Sequence, residues 1–375
     1  MPLSGLTVIE IGQNIAGPYA GAILADLGAD VIKIEKPGGD DARFWFVEKD
    51  GERHPLAFHI LNRNKRSAVV DFKEEAALRR FLALVERADV LLHNLRPGLA
   101  ESLGIGHAAL EARNPRLVYC EVGAFGRAGP LASKPGYEPL AHAYAGVMAM
   151  NGPVEGPPMR AGVSIVDPGT AMWAVIGILA ALRRRERTGE GGRVDVSLFE
   201  TGLGWVYQPL SDYLFTGREP ERQGNGNSML TPYQVFETAT DPVMVAAGND
   251  RLYQRLCAVL GRPEWGRDAR FATVRDRLTN RAALIPLIQL ALLTRPRAVW
   301  QAALEAAGVP HAPINKVSEA ADDPQTAALG AMLTEPETGY PLLGLPVSLD
   351  GERPPVRSRA PALGAHTRDV FGADG

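Results

Sequence analysis

Apolar residues in the first two hundred positions follow two rhythms. Short runs such as "LTVIEI" (6–11), "DVIKIE" (30–35), "SAVVDF" (67–72), "DVLLHN" (89–94), "RLVYCEV" (116–122) and "GRVDVSL" (192–198) have the length and β-branched content of buried strands. Helical patterns lie between them. One covers 18–27 and is stopped by Gly28. A second covers 73–87 and puts Ala77, Leu78, Phe81, Leu82 and Val85 on one face, and a third is the strongly apolar stretch 168–185. This alternation predicts an α/β fold with a mostly parallel sheet covered by helices.

The pattern changes at "RQGNGNSMLTPYQVF" (222–236), a polar, glycine-rich loop without apolar periodicity. A strand pattern, "PVMVAAG", and the helical patterns "RLYQRLCAVLG", "RAALIPLIQLALL" and "PRAVWQAALEAAG" follow. From Thr334 the chain is rich in Pro and Gly, with short strand-like pieces. The predicted organisation is a large domain over 1–223 completed by 334–375, a glycine-rich linker at 224–230, and a smaller α+β domain over 231–333.

Composition narrows the function classes. The 375 residues are 46% apolar and 22% charged with a formal charge of −3, so neither a basic nucleic-acid surface nor a charged tail is indicated. The longest near-continuous apolar run, 171–182, is short for a bilayer and runs straight into three arginines, so no membrane span is expected. "MPLSGLTVIEIG" lacks the pattern of a signal peptide, and Cys120 and Cys257 read as separate buried thiols. A cytoplasmic location is expected, with no metal site.

Two stretches carry candidate chemistry. "GQNIAGP" (12–18), with Glu35 closing the next strand, imitates a dinucleotide site, but it lacks the middle glycine that a pyrophosphate requires. The helix start at Gly17–Pro18 still suits an anionic group. The second stretch is "SIVDPGTAMWAVIGILAALRRR" (164–185). Asp167 before Pro168 has the form of a helix N-cap. A carboxylate at a helix start also meets free amides that favour its ionised form, which suits a nucleophile on an activated acyl group with amides for the oxyanion. Local sequence leaves both readings open.

Several ordered motifs together resemble the class III coenzyme A transferases (the CaiB/BaiF type), which share a fold with the α-methylacyl-CoA racemases. They are "AGPYAGAILADLGADVIKIEKPGGDDAR" (16–43), "NRNKRSAVVDFK" (62–73), "ADVLLHNLRPGLAESLGIG" (88–106), "NPRLVYCEVGAFGRAGP" (114–130), the Asp167 segment with "RTGEGGRVDVSLFE" (187–200), and "TPYQVFETATDPVMVAAGND" (231–250). The resemblance covers nearly the whole chain. It implies a Rossmann-like large domain, a small domain and an interlocked homodimer, without nucleic-acid or membrane partners. It also implies an acyl-CoA and a carboxylic acid as substrates, with no tightly bound cofactor.

By position, Asp167 matches the catalytic aspartate that carries an acyl anhydride and then a CoA thioester. Glu138, in "GYEPLAH", matches a second acidic position beside it. Asn14, Ile15, Lys36, Lys65, Asn94 and Leu95 match CoA-binding positions. Arg96 and Lys134 stand near Ser102 and Pro135, where the family often has basic residues. Gly224, Asn225, Gly226 and Asn227 match a mobile lid loop. The racemase branch needs a histidine where this chain has Gly136-Tyr137-Glu138, and His142 lies one helical turn further on. Proton transfer of that kind, and CoA transfer within one dicarboxylate, are the alternatives.

Overall fold

The six apolar runs form one parallel sheet in the computed structural model, which describes residues 1–372. The strands are β1 (Thr7–Ile11), β2 (Asp30–Glu35), β3 (Lys65–Val69), β4 (Val90–His93), β5 (Val118–Gly123) and β6 (Gly192–Ser197). Their order is β3-β2-β1-β4-β5-β6 and every neighbouring pair is parallel. The chain therefore winds one way from β1 and the other way from β4. In such sheets ligands settle at the carboxyl ends of the strands where the order reverses, here β1 and β4.

Side chains that alternate across the strands feed two cores. Val8, Val31, Leu92, Val118 and Cys120 face one side, with α1 (Ala16–Asp26). Ile9, Ile32, Leu91 and Tyr119 face the other, under α2 (Glu75–Val85), whose Ala77, Phe81, Leu84 and Val85 are buried. Near-complete burial of both faces explains why the strands read as continuous apolar runs. Residues 357–366 of the final segment run beside β3. Asn64 Oδ1 accepts from the Arg357 and Ser358 amides at 2.6 and 3.0 Å, and the His366 amide donates to Ser67 O at 2.9 Å, so this edge is covered.

Two helices frame the site described below: α3 (Glu138–Tyr144) and α4 (Val166–Thr188). The 23 residues of α4 are long and apolar enough, by length and composition, to cross a membrane, a feature that the shorter 171–182 run hid. Half of its apolar window is buried here. Ala171, Ala174, Ile178 and Ala181 share one core with Ala20 and Leu24 of α1, and these small side chains let the two helices pack closely.

By compactness the chain divides into two units. The first comprises Met1–Met148, Arg160–Arg218 and the chain from Pro324; the second comprises Ala149–Met159 and Glu219–Asp323. Residues 149–159 join the second unit because Arg222 donates to the Ala149, Pro153 and Gly156 carbonyls. The division by sequence pattern lay at 223/224 and 333/334. The second unit has an antiparallel sheet of β7 (Tyr233–Phe236), β8 (Val243–Ala246) and β9 (His311–Pro313), with β8 central. Helices pack on it around Phe236, Val243, Tyr253, Leu256, Leu284 and Trp300.

Candidate active site

The turn after β1 is held from beneath by charge. Glu10, Lys33, Asp40 and Lys65 are all buried in the first unit. Lys33 Nζ lies 3.0 Å from Glu10 Oε1 and 2.9 Å from Asp40 Oδ2, and it donates to Gly12 O at 2.8 Å. Lys65 Nζ donates to Glu10 Oε2 at 2.6 Å, Pro18 O at 2.7 Å and Asn62 Oδ1 at 2.9 Å. Two cations and two anions balance, which is the condition for keeping charges in an interior.

Two of the three glycines of "GQNIAGPYAG" make room for this cluster. A Cβ on Gly12 would lie 2.7 Å from Glu10 Oε1, and one on Gly21 2.2 Å from Glu10 Oε2. Above the cluster the Asn14 amide donates to Asp40 Oδ1 at 3.1 Å, while Asn94 clamps Gln13, accepting from its amide and donating to its carbonyl at 2.8 Å each. Glu35 accepts from Arg43, Ser67 and the Asp40 amide, so its oxygens are already occupied by protein donors and not aimed at a ribose.

This fixed turn forms one wall of a cavity of about 620 Å³ at the carboxyl ends of β1, β4 and β5. Asn14, Ile15, Asn94, Leu95, Arg96, Glu138 and Asp167 all line it. No side chain caps α1, which begins at Ala16, and both Ile15 and Ala16 line the cavity. That helix start is a place for developing negative charge.

Asp167 is not the cap of α4. Ile165 occupies the N-cap position without a side-chain bond, and Asp167 is the second helical residue. The cap comes from α3, where Glu138 Oε1 accepts from the Ile165 amide at 2.9 Å and the Val166 amide at 3.3 Å. The amides expected to favour an ionised Asp167 therefore serve its neighbour, and the consequences for the two carboxyls are opposite. Burial opposes ionisation of Glu138, but hydrogen bonds from Ser164, the two amides and Asp167 hold it below the usual carboxylate range. Burial first, and then the charge of Glu138 and the hydrogen bond to it, push Asp167 from 3.8 up to about 7. The pair shares one proton, held on Asp167. Beneath it the buried His142 places Nε2 3.0 Å from Glu138 Oε1, off the line of a hydrogen bond.

Other positions singled out by sequence lie elsewhere. Lys65 is enclosed, with its three donors taken, so it cannot meet a ligand phosphate. Lys36 pairs with Asp41 at 3.1 Å and lines a separate cavity of about 170 Å³. Lys134 is exposed and is not part of the lining, although Pro135, Gly136 and Tyr137 are. Gly224, Asn225, Gly226 and Asn227 belong to the second unit. Gly224 has φ +60°, and Asn227 Oδ1 accepts from the Met229 and Leu230 amides at 2.8 and 3.1 Å. Sequence reasoning passed over Gln13, Trp45, Arg160 and Ser164, all of which line the large cavity. Of these, Ser164 and Arg160 carried a signal, since both lie within seven residues of Asp167 in the irregular segment leading into α4. Among the described residues no group of three or more His, Cys, Asp or Glu is placed to hold a metal ion.

The arrangement is a carboxyl of raised pKa beside a second carboxylate of lowered pKa, in a cavity also lined by an uncapped helix start. Comparison with known proteins places the chain in a family. A family model described as CoA-transferase family III matches residues 3–367. Acetyl-CoA:oxalate CoA-transferase of Acetobacter aceti is 39% identical, over 99% of this chain and 96% of that protein. Succinate–glutarate CoA-transferase of Agrobacterium fabrum is 38% identical, over 99% and 95%. Among solved structures, a CaiB/BaiF family protein from Brucella suis superposes with a TM-score of 0.87 at 37% identity, covering 99% of this chain and 98% of that one. The chain belongs to CoA-transferase family III.

Proposed function

We propose that this enzyme moves coenzyme A from an acyl-CoA thioester to a carboxylic acid, with Asp167 as the covalent carrier. The observation that carries the reading is the Asp167–Glu138 pair in the cavity. A carboxyl held near pKa 7 is ionised in a large fraction of molecules at neutral pH, yet is not buried under amide hydrogen bonds that would blunt it.

Ionised Asp167 attacks the thioester carbonyl. The carbon–sulfur bond breaks, leaving an acyl-aspartyl anhydride and CoA thiolate. The thiolate then attacks the aspartyl Cγ, the donor acid leaves as carboxylate, and an aspartyl-CoA thioester remains. The acceptor carboxylate attacks that Cγ and again frees thiolate. Attack of the thiolate on the acceptor carbonyl gives the new acyl-CoA and restores the Asp167 carboxylate. No net proton is consumed. The start of α1 at Ile15–Ala16 supplies the positive end for the oxyanions. Glu138 keeps the first turn of α4 in place while remaining ionised. Arg96, on the wall shared with Asn94, is available for a CoA phosphate. Oxalate and glutarate in the names of the relatives support an acid as acceptor. The racemase alternative needs an imidazole at the substrate, and no histidine lines the cavity among the described residues.

The family resemblance to interlocked dimers has a counterpart on the surface of the first unit. Helix Tyr207–Thr216 buries none of its residues and exposes Leu214 and Phe215 by 74% and 92%, and α4 exposes Met172, Trp173 and Ile176 by about half. A second copy of the chain is the proposed cover, and light scattering should give twice the mass of one chain. The transfer reading is tested by incubating the protein with an acyl-CoA and hydroxylamine. An aspartyl hydroxamate at position 167 is expected in the peptide mass spectrum, and an unmodified peptide after CoA release would contradict the reading.

A further inference from the structure

We infer that Arg160 holds the second carboxylate of a dicarboxylic acid, so that the acid handled by this enzyme is a diacid. The inference rests on the transfer reading above and adds the substrate class.

The charged groups that line the cavity are Asp41, Arg96, Glu138, Arg160 and Asp167. Asp41 is matched by Lys36. Glu138 accepts from the first amides of α4, and Asp167 lies beside it. Arg96 and Arg160 have no ion-pair partner among the described residues, and they come from different segments of the chain. Arg96 follows β4 beside Asn94, the residue that clamps the turn before α1. Arg160 lies in the irregular segment that leads through Ser164 into α4, seven residues before Asp167. Both guanidinium groups are thus open to a ligand in the cavity.

Charge conservation through the cycle selects the ligand for Arg160. A monocarboxylic acid loses its only charge when it becomes an anhydride or a thioester, so a guanidinium placed for it would face a neutral acyl chain in two of three states. A diacid keeps one carboxylate as free acid, as anhydride and as CoA ester. A permanently charged guanidinium, whose forked donors fit a carboxylate in two parallel hydrogen bonds, is matched at every stage.

The test compares isosteric acceptors, succinate against butyrate and glutarate against valerate, with acetyl-CoA as donor, because that donor has no second carboxylate. The readout is the ratio of kcat/KM for the diacid to that for the monoacid in wild type, Arg160→Met and Arg160→Lys. Wild type should favour the diacid by about 10²-fold, Arg160→Met should bring the ratio near one, and Arg160→Lys should keep part of the preference. A wild type without diacid preference would overturn the inference. So would an Arg160→Met variant that loses both acceptors by the same factor, or one whose defect is a raised KM for acetyl-CoA, the mark of a CoA phosphate ligand. Hydroxylamine trapping of wild type with acetyl-CoA alone reports on the transfer reading separately. If Asp167 is trapped and the ratio stays flat, only the assignment of Arg160 falls.

Discussion

Replacing Glu138 with Gln tests the link between the two carboxyls most sharply. The side chain keeps its shape, and its Oε1 can still accept from the Ile165 and Val166 amides. Loss of the charge on that cap should cost about 1 kcal/mol of stability, because charge-assisted hydrogen bonds are roughly twice as strong as neutral ones. The larger change falls on Asp167. Its pKa rises from 3.8 to about 7, with burial as the largest cause and Glu138 next. Glu138 acts twice, through its charge and through the hydrogen bond to it, so its replacement removes a substantial share of the rise, each unit of which is worth about 1.4 kcal/mol. A Gln amide also donates to the Asp167 carboxylate where Glu competes for its proton, so the direction is certain to be downward. The assay is the pH dependence of kcat/KM for the acyl-CoA. Only ionised Asp167 attacks, so the wild-type rate should fall on the acid side with a midpoint near 7. In Glu138→Gln that midpoint should move about 1 unit or more toward acid. An unmoved midpoint would show that Glu138 does not control Asp167, and a wild-type midpoint near 4 would show that Asp167 is not held protonated at all.

Two further outcomes follow from the same structure. Asp167 keeps its proton in the folded chain while the unfolded chain ionises between about pH 4 and 7, so its ionisation removes stability over that window and the full loss is present above it. Asp167→Asn should therefore be more stable than wild type in urea at pH 8, by up to ~4 kcal/mol, less because the cavity is open to water, and equal to it near pH 4. A variant with the same pH slope as wild type would contradict the shared proton. Lys65→Met leaves Glu10 with one cation in a sealed interior and should cost about 3–5 kcal/mol in chemical unfolding, with KM for acyl-CoA little changed in the folded fraction. A raised KM with unaltered stability would return Lys65 to the ligand.

How much of this was written locally in the sequence depends on the distance over which each feature is built. The sheet was legible because each strand is buried on both faces, and a run such as "DVIKIE" can then hardly be anything else. Helix α4 runs two residues earlier and three later than the predicted 168–185, because Asp167 reads locally as the cap and Glu186–Thr188 carry no apolar signal. "VDPG" has every local mark of a cap at Asp167, yet the cap arrives from Glu138 on another helix, and no window around Asp167 contains it. Lys65 in "NRNKRS" looks solvated because its neighbours are polar. Its partner Glu10 lies on a different strand, and only the packed sheet shows that the two meet. The pairing of Asp167 with Glu138 and the placement of Asn14, Ile15 and Asn94 on one cavity follow motif positions. Arg160 sits in a loop without periodicity, its one sequence signal being its nearness to Asp167, and its place on the cavity shows only in the packed structure.

The most direct measurement of the central claim follows oxygen. When the acceptor acid is supplied with both carboxylate oxygens isotopically heavy, the bridging oxygen of the second anhydride comes from the acceptor and stays on Asp167 when thiolate attacks the acceptor carbonyl. After many turnovers the peptide containing Asp167 should carry heavy oxygen in that side chain and in no other carboxyl. A fully active enzyme whose Asp167 remains unlabelled would mean that the acyl group never passes through this residue.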